Sequence, residues 1–416
     1  MESYKTLPKP AEKRIGLRVN AAAERSLRRG HPWIFENSII HQSHEGNPGD
    51  LAVIFDQKRR FLAVGLYDPT SVIRVRVLVF HSPTEINQDW FLEKIIQAVK
   101  IRQPLTQQPL ARETNGYRVI FGENDGFPGL VLDRYADTLV MKLYSLAWLP
   151  YLDPLISIFP EVISYRRLVL RLSRGLMKEP DLLYGLTDGA ILQGDPLNGP
   201  ILFLENGLVF EAEPIIGQKT GFFLDQRENR LSVEKLSAGK SILNCFAYTG
   251  GFSVYAGRGG ASEVVSVDIS APAIAAAKRN WEHNLHFENI QRSQHTGIPA
   301  DVFVVLAEMA KRNQRFDVVI LDPPMFAHKQ DQVKNALNAY DRLTRAGLAV
   351  LKSGGTLVQA SCSSRVDAQS FFSGIQNTAT GEGRSLIEIE RSGHGLDHPV
   401  GFKEGEYLKC LFAKVI

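Results

Sequence analysis

Short apolar runs, each broken by glycine, proline or an acid, recur along the C-terminal half of the chain. Ile242, Leu243, Phe246 and Ala247 form one such run, the pattern of a strand buried on both faces. Thr249-Gly250-Gly251 breaks it, and Phe252–Ala256 resumes with helix-compatible residues. Val264–Val267 is a second buried strand, ending in Asp268. Ser270 caps a helix with the inward stripe Ile274, Ala277, Trp281 and Leu285, Pro272 being tolerated in its first turn. Asp301 stands before the apolar run Val302–Leu306. Phe316–Leu321 is a third buried strand, a helix spans Val333–Leu351, and Thr356–Ser361 is a fourth strand. Regular alternation of this kind predicts a doubly wound α/β sheet.

The N-terminal half reads differently. Ile15–Val19 alternates, Ala21–Arg29 is a short helix, and Leu51–Phe55 follows the turn cluster Gly46–Asp50. Ile73–Val79 alternates with Arg74 and Arg76 on its outward face. Residues 81–200 predict a second α/β unit. Its first helix is marked by Trp90, Ile95, Ile96, Val99 and Ile101, and its strands are Leu130–Asp133, Asp137–Leu143 and Leu168–Leu172, with a helix near Leu149–Ile158. Glu123 and Asp125 could touch substrate, but acids in a Gly/Pro-dense turn such as this are more often turn formers. Ile201–Ala212 predicts a hairpin around a type I′ turn at Asn206-Gly207. The expected domains are 1–80, 81–200 and 201–416.

Composition narrows the class without naming a function. A chain of 416 residues with 44% hydrophobic and 22% charged residues is an ordinary globular protein of two or three domains. No apolar stretch is long enough to span a membrane, and no secretory signal is expected. Three cysteines (Cys245, Cys362 and Cys410) make neither a disulfide framework nor a standard zinc site, which points to a reducing cytoplasm and no metal. Net charge is only +3, but residues 1–30 carry eight Lys/Arg against three Glu, the footprint of a face toward polyanion.

Candidate chemistry gathers at strand ends. Strand, glycine turn, helix, strand and acid is half of a nucleotide-binding fold, with Asp268 placed to accept ribose hydroxyls. The turn lacks the G-x-G-x-x-G needed to seat a pyrophosphate, so S-adenosylmethionine fits better than a dinucleotide. Gly217–Arg230, with two glycines and two aromatics before a charged helix, is a candidate loop over that cofactor. Asp322-Pro-Pro carries a buried strand into a stiff turn whose carbonyls can accept from a planar amino group, while the Asp322 side chain can bind a base edge. Cys362 follows a strand and precedes Arg365, a cation able to lower the thiol pKa. A thiolate there is what C5 methylation of a pyrimidine requires. Cys245 and Cys410 read as buried small hydrophobes.

Arg18–Phe35 resembles the PUA domain, a small RNA-binding β-barrel. Gly221–Arg227, Asn244–Phe252, Val267-Asp268, Asp322–Phe326, Ser361–Ser363 and Asp397–Val400 together resemble the bacterial RlmI-type family, the S-adenosylmethionine-dependent cytosine-C5 methyltransferases of large-subunit ribosomal RNA. The resemblance implies an α/β fold class: a C-terminal Rossmann-like class I methyltransferase domain, an N-terminal PUA barrel and a small central α+β domain. By the same resemblance, Phe222, Asp225, Gln226, Arg227 and Asn244 border the cofactor. Tyr248, Thr249 and Gly250 hold its methionine end, Asp268 its ribose and Asp301 its adenine. Asp322 sits at both cofactor and target base, Cys362 is the nucleophile, and S-adenosylhomocysteine is the product. Met325 stands where another RNA class has a second cysteine, so a one-cysteine mechanism is implied, with Phe326 the aromatic beside the base. Phe326, Arg365, Arg74, Arg76, Arg18, Arg28 and Arg29 are the expected RNA contacts. The expected partner is ribosomal RNA or a ribosomal subunit particle, with no membrane; oligomeric state stays open, a homodimer among the options. Two other readings keep parts of this picture: amino-group methylation of a base, which needs no cysteine, and a non-catalytic RNA-binding assembly factor.

Overall fold

The computed structural model describes residues 3–327 and 330–416; Glu2, counted in the N-terminal charge, lies outside them. The chain divides into two units, one of Met1–Asn206, Ala212–Leu224 and Leu396–Phe402, the other of Gly207–Glu211, Asp225–Gly395 and Lys403–Ile416. Among the described residues no helix is long and apolar enough to cross a membrane.

In the first unit, β1 (Ile15–Val19) buries alternate residues, and Asn20 then caps α1 (Ala21–Arg28) by accepting from the Ala23 N–H at 2.9 Å. Strands β2 (Trp33–Phe35), β3 (Ile39–Gln42), β4 (Leu51–Phe55), β5 (Phe61–Tyr67) and β6 (Ile73–Phe80) join β1 in a six-stranded sheet ordered β2-β6-β5-β4-β1-β3. Ile15, Leu17, Ile34, Ile54, Leu62 and Val75 fill its core. Next come α2 (Gln88–Thr106), β7 (Gly116–Phe121), β8 (Leu130–Tyr135), β9 (Thr138–Leu143), α3 (Leu152–Val162), β10 (Arg167–Leu172) and β11 (Ile191–Gln193), with the five strands ordered β11-β10-β9-β8-β7.

The face that α2 buries differs from the expected stripe. Phe91, Ile95, Ala98 and Arg102 point inward, whereas Ile96 and Ile101 are exposed. Arg102 belongs inside because it donates to both oxygens of Asp125, at 2.8 and 2.6 Å, and to the Asp397 carbonyl at 2.9 Å. Asp125 is therefore a structural acid, as its turn context suggested.

Strands β12 (Ile201–Glu205) and β13 (Leu208–Ala212) flank Asn206 and Gly207, whose φ values of +50° and +78° are those a type I′ turn needs.

The second unit begins with α4 (Arg227–Leu236) and continues through β14 (Ser241–Cys245), α5 (Gly251–Arg258), β15 (Glu263–Asp268), α6 (Ala271–Glu282), α7 (Glu288–Arg292), β16 (Gln294–Pro299), α8 (Val302–Lys311) and β17 (Phe316–Leu321). It ends with α9 (Val333–Ala349), β18 (Leu351–Ser361), α10 (Ala368–Gly381), β19 (Leu386–Ser392) and β20 (Lys409–Val415). The seven strands run β16-β15-β14-β17-β18-β20-β19, all in one direction except β20, which is antiparallel to both its neighbours. The chain order reverses at β14, which pairs with β15 on one side and β17 on the other. Ligands of such sheets bind beyond the strand carboxyl ends at that reversal.

Strand β16 was not expected; its residues are polar and mostly exposed because it forms the sheet edge. Leu285 lies beyond the end of α6 and is exposed, so the inward stripe of that helix is Ile274, Ala277, Asn280 and Trp281.

Candidate active site

After β14 the chain coils tightly: Phe246, Tyr248 and Gly250 all have positive φ, at 58°, 45° and 77°. Gly250 is required twice over. Its conformation disfavours a side chain, and a Cβ there would lie 2.8 Å from Cβ of Ala277 on α6. The coil is tied to the tip of β15, where one Asp268 oxygen accepts the Tyr248 N–H at 2.8 Å and the other accepts the Ser270 N–H at 2.9 Å. Each carboxylate oxygen keeps a further lone pair, the capacity needed for a pair of hydroxyls. Thr249 Oγ1 and Asn244 Oδ1 are buried with no hydrogen-bond partner among the described residues.

One strand over, Asp322 follows the end of β17 and accepts from the Gln226 side-chain amide at 3.0 Å. Gln226 is itself held by Asn229, which donates to its Oε1 at 2.5 Å. The adjacent Asp225 accepts from the Tyr407 hydroxyl at 2.8 Å. Cys362 follows the end of β18, paired in parallel with β17, so both residues emerge at the same sheet edge. Of the three cysteines, Cys362 alone is half-buried, while burial pushes the thiols of Cys245 and Cys410 well up.

Two further residues complete this corner. Tyr340 on α9 shares a hydrogen bond with Ser361 Oγ at 2.8 Å and packs its ring 5.0 Å from that of Phe326. Burial raises its phenol despite the Ser361 bond, and the charges of Cys362 and Asp322 push it the same way. Lys409, at the start of β20, is buried and donates to the carbonyls of Ser363 and Val366. Neither was anticipated, although a lysine opening the apolar run Cys410–Ala413 was a visible signal.

The sequence profile of the S-adenosylmethionine-dependent methyltransferases matches residues 164–405, and that of a PUA-like domain matches residues 17–80. A protein of Deinococcus radiodurans named ribosomal RNA large subunit methyltransferase is 45% identical over 98% of this chain and 99% of its own. A ribosomal RNA large subunit methyltransferase I of Photobacterium profundum is 37% identical over 93% and 96% of the two chains. The chain belongs to the RlmI-type family. Its fold is shared by a Streptococcus mutans structure described as a candidate SAM-dependent methyltransferase, with a TM-score of 0.80 at 22% identity over 96% of this chain and 99% of that one. A second such structure, a complex with SAH, gives 0.81 at 22% identity over 96% and 99%.

The residues of this RlmI-type methyltransferase fit S-adenosylmethionine. The acid at the tip of β15 has the acceptor capacity that a ribose diol needs, and the unpartnered Thr249 hydroxyl lies in the coil beside it. Asn244 does not face solvent: it is fully buried and donates to Ser253 Oγ at 2.9 Å, supporting the coil from beneath. Arg227 is buried at the start of α4, with Nε 3.1 Å from Glu228 Oε1. Asp301 caps α8, accepting the Val304 N–H at 3.1 Å from an exposed position. Phe222 belongs to the first unit, where it packs 5.1 Å from Phe203 and donates its N–H to the Tyr135 hydroxyl.

The expected RNA contacts divide sharply. Arg76 is buried, donating to the Ile73 carbonyl at 3.1 Å, and burial lowers its pKa against the raising charges of Asp68 and Glu123. Arg74 pairs with Glu36 at 2.6 Å and also donates to the Pro69 carbonyl. Both point away from the barrel core, which Val75 and Val77 fill, but Arg76 is covered on that face by the segment around Glu123 and Gly129, and Arg74 is half-buried. Arg18 is half-buried on β1, Arg28 pairs with Glu24 at 2.9 Å and Asp56 at 3.4 Å, and Arg29 is exposed at the end of α1. Arg365 is exposed in the turn after Cys362.

Proposed function

We propose that this enzyme methylates C5 of a cytosine in large-subunit ribosomal RNA, through a covalent bond between Cys362 Sγ and C6 of the base. The observation that carries the reading is the half-buried Cys362 at the end of β18, beside Asp322 at the end of β17. The names of the relatives supply the substrate class, and a cytoplasmic location goes with it. Asp268, Thr249, Tyr248 and Gly250 hold S-adenosylmethionine, with Asp225, Gln226, Arg227 and Asp301 around it. When bound, the cofactor supplies an electrophilic methyl group and leaves as S-adenosylhomocysteine.

Asp322 receives the base edge, oriented by Gln226, and Phe326 offers the ring against which a splayed base stacks. The Cys362 thiolate bonds to C6, and the electron pair of the C5–C6 double bond moves to C5, making it nucleophilic toward the methyl group. Loss of the C5 proton to a base then restores the double bond as the C6–S bond breaks and the thiolate leaves. Arg365 at the site and Arg18, Arg28 and Arg29 on the PUA-like domain contact RNA backbone, which positions the substrate without reading sequence.

The test is methyl transfer from radiolabelled S-adenosylmethionine to RNA and ribosomal particles from a strain lacking the gene, followed by digestion to nucleosides. Label in 5-methylcytidine from the intact enzyme and none from Cys362→Ala is the expected result. Label in an N-methylated nucleoside that survives Cys362→Ala would replace this reading by amino-group methylation. Cofactor binding with no label on any RNA would leave an assembly factor.

A further inference from the structure

The turn that carries Cys362 is held by a residue from a different strand. Strand β20 runs antiparallel to β18, with Lys409 opposite Ser361, the residue before Cys362. From there the Lys409 ammonium reaches over the turn and donates to the Ser363 carbonyl at 2.7 Å and to the Val366 carbonyl at 2.8 Å. Those acceptors lie one and four residues beyond Cys362, so a single side chain closes the loop on its C-terminal side. Its N-terminal side is closed by the Ser363 N–H donating to Ser361 Oγ at 3.3 Å, that oxygen being shared with the Tyr340 hydroxyl.

Lys409 is only 4% exposed, and the acceptors its ammonium reaches are two neutral carbonyls. A buried ammonium satisfied by neutral carbonyls alone is costly unless an anion lies nearby. The charged groups facing it are Glu406, the Cys362 thiolate and Asp367, each of which favours its protonated form, while burial opposes it. Around Cys362 itself stand Lys409 from β20, Tyr340 from α9, Asp322 from the end of β17 and Arg365 in the same turn. Tyr340 and Asp322 cannot stabilise a thiolate by charge, and exposed Arg365 is screened by water. Lys409 is the one buried cation in this set.

We propose that Lys409 is the positioning residue of the Cys362 nucleophile, fixing its turn through two carbonyls and favouring the thiolate over the thiol by its buried positive charge. The inference rests on the nucleophile reading above. The step is simple: the S–H bond breaks, its electron pair stays on sulfur, and the proton leaves to solvent. The charge opposite the new thiolate is already in place, so no rearrangement is needed.

The experiment is the pH dependence of alkylation of the intact protein by iodoacetamide, read at the Cys362 peptide by mass spectrometry. Cys245 and Cys410 are buried and do not compete. The expected midpoint for the natural protein lies below the value of about 8.5 for an ordinary cysteine. Lys409→Met should raise it by about one unit, slowing alkylation at pH 7 about tenfold. Lys409→Gln, which keeps a donor for the turn but no charge, should shift it similarly with less loss of melting temperature. Lys409→Arg should restore most of the shift, and Arg365→Ala should leave the midpoint in place. A midpoint unmoved in both neutral variants would make Lys409 structural only and overturn the proposal. Because alkylation reads the thiol directly, a shifted midpoint with no 5-methylcytidine would sink the cytosine-C5 reading and leave the Lys409 assignment standing. Intact, Cys362-dependent 5-methylcytidine formation with an unmoved midpoint would do the reverse.

Discussion

The Gln226 side-chain amide donates to the Asp322 carboxylate at 3.0 Å, joining the residue that precedes α4 to the end of β17. The bond orients the Asp322 carboxylate. A hydrogen bond to a charged group contributes about 1.5–3 kcal/mol. Gln226→Ala should therefore lower kcat/KM for methyl transfer roughly ten- to a hundredfold with the melting temperature little changed. Steady-state kinetics beside a thermal melt check this; an unaltered kcat/KM would remove Gln226 from the orienting role.

Gly250 and Ala277 set how closely α5 and α6 approach. Gly250→Ala should destabilise the protein by about 2–4 kcal/mol, from left-handed strain and overpacking together. Adding Ala277→Gly should recover the packing part but not the strain, less about 1 kcal/mol for glycine inside a helix. Urea titrations of the three variants measure both parts. Full recovery in the double variant would mean that the backbone carries no strain.

Arg76 and Arg29 were both expected at RNA, and the structure separates them. Arg76→Glu should cost about 3–5 kcal/mol of stability, since it buries a charge without a partner. Arg29→Ala should leave the melt unchanged and weaken RNA binding, lowering the salt dependence of log K by about one. Filter binding across a salt series tests this. Normal folding of Arg76→Glu with impaired RNA binding would return that side chain to the surface.

His295 on β16 stacks on Trp281 at 4.6 Å between ring centroids and meets Ser266 Oγ at 2.8 Å. Burial lowers its imidazole from 6.5 to about 4. The folded state therefore binds its proton less readily than the unfolded chain does. The stability this contributes is fully present above pH 6.5 and is lost as pH falls toward about 4. His295→Gln should flatten that decline, so urea midpoints of variant and natural protein should draw together between pH 7.5 and 4.5. Parallel declines would show that the ring is not held neutral.

The continuous apolar strands and the acid, proline and cysteine that end them were legible because local patterning alone dictates a strand buried on both faces. That pattern marked β14, β15, β17 and β18 and placed Asp268, Asp322 and Cys362 at their carboxyl ends. It could not mark β16, whose edge position leaves most of Gln294–Pro299 exposed, with only His295 and Ile298 half-buried. Nor could it tell which face of α2 turns inward, where Arg102 is held by Asp125, or that the outer face of β6 is covered at Arg76 by the segment around Glu123 and Gly129. The partners of Cys362 and Asp322 were equally hidden. Lys409 lies 47 positions after Cys362 and Gln226 lies 96 before Asp322 in the chain. The sequence by itself determined four buried strands and the residues at their carboxyl ends, because burial periodicity is local. Only the tertiary structure decided which charge faces which, because a buried ion finds its partner through packing between elements that sequence distance does not reveal.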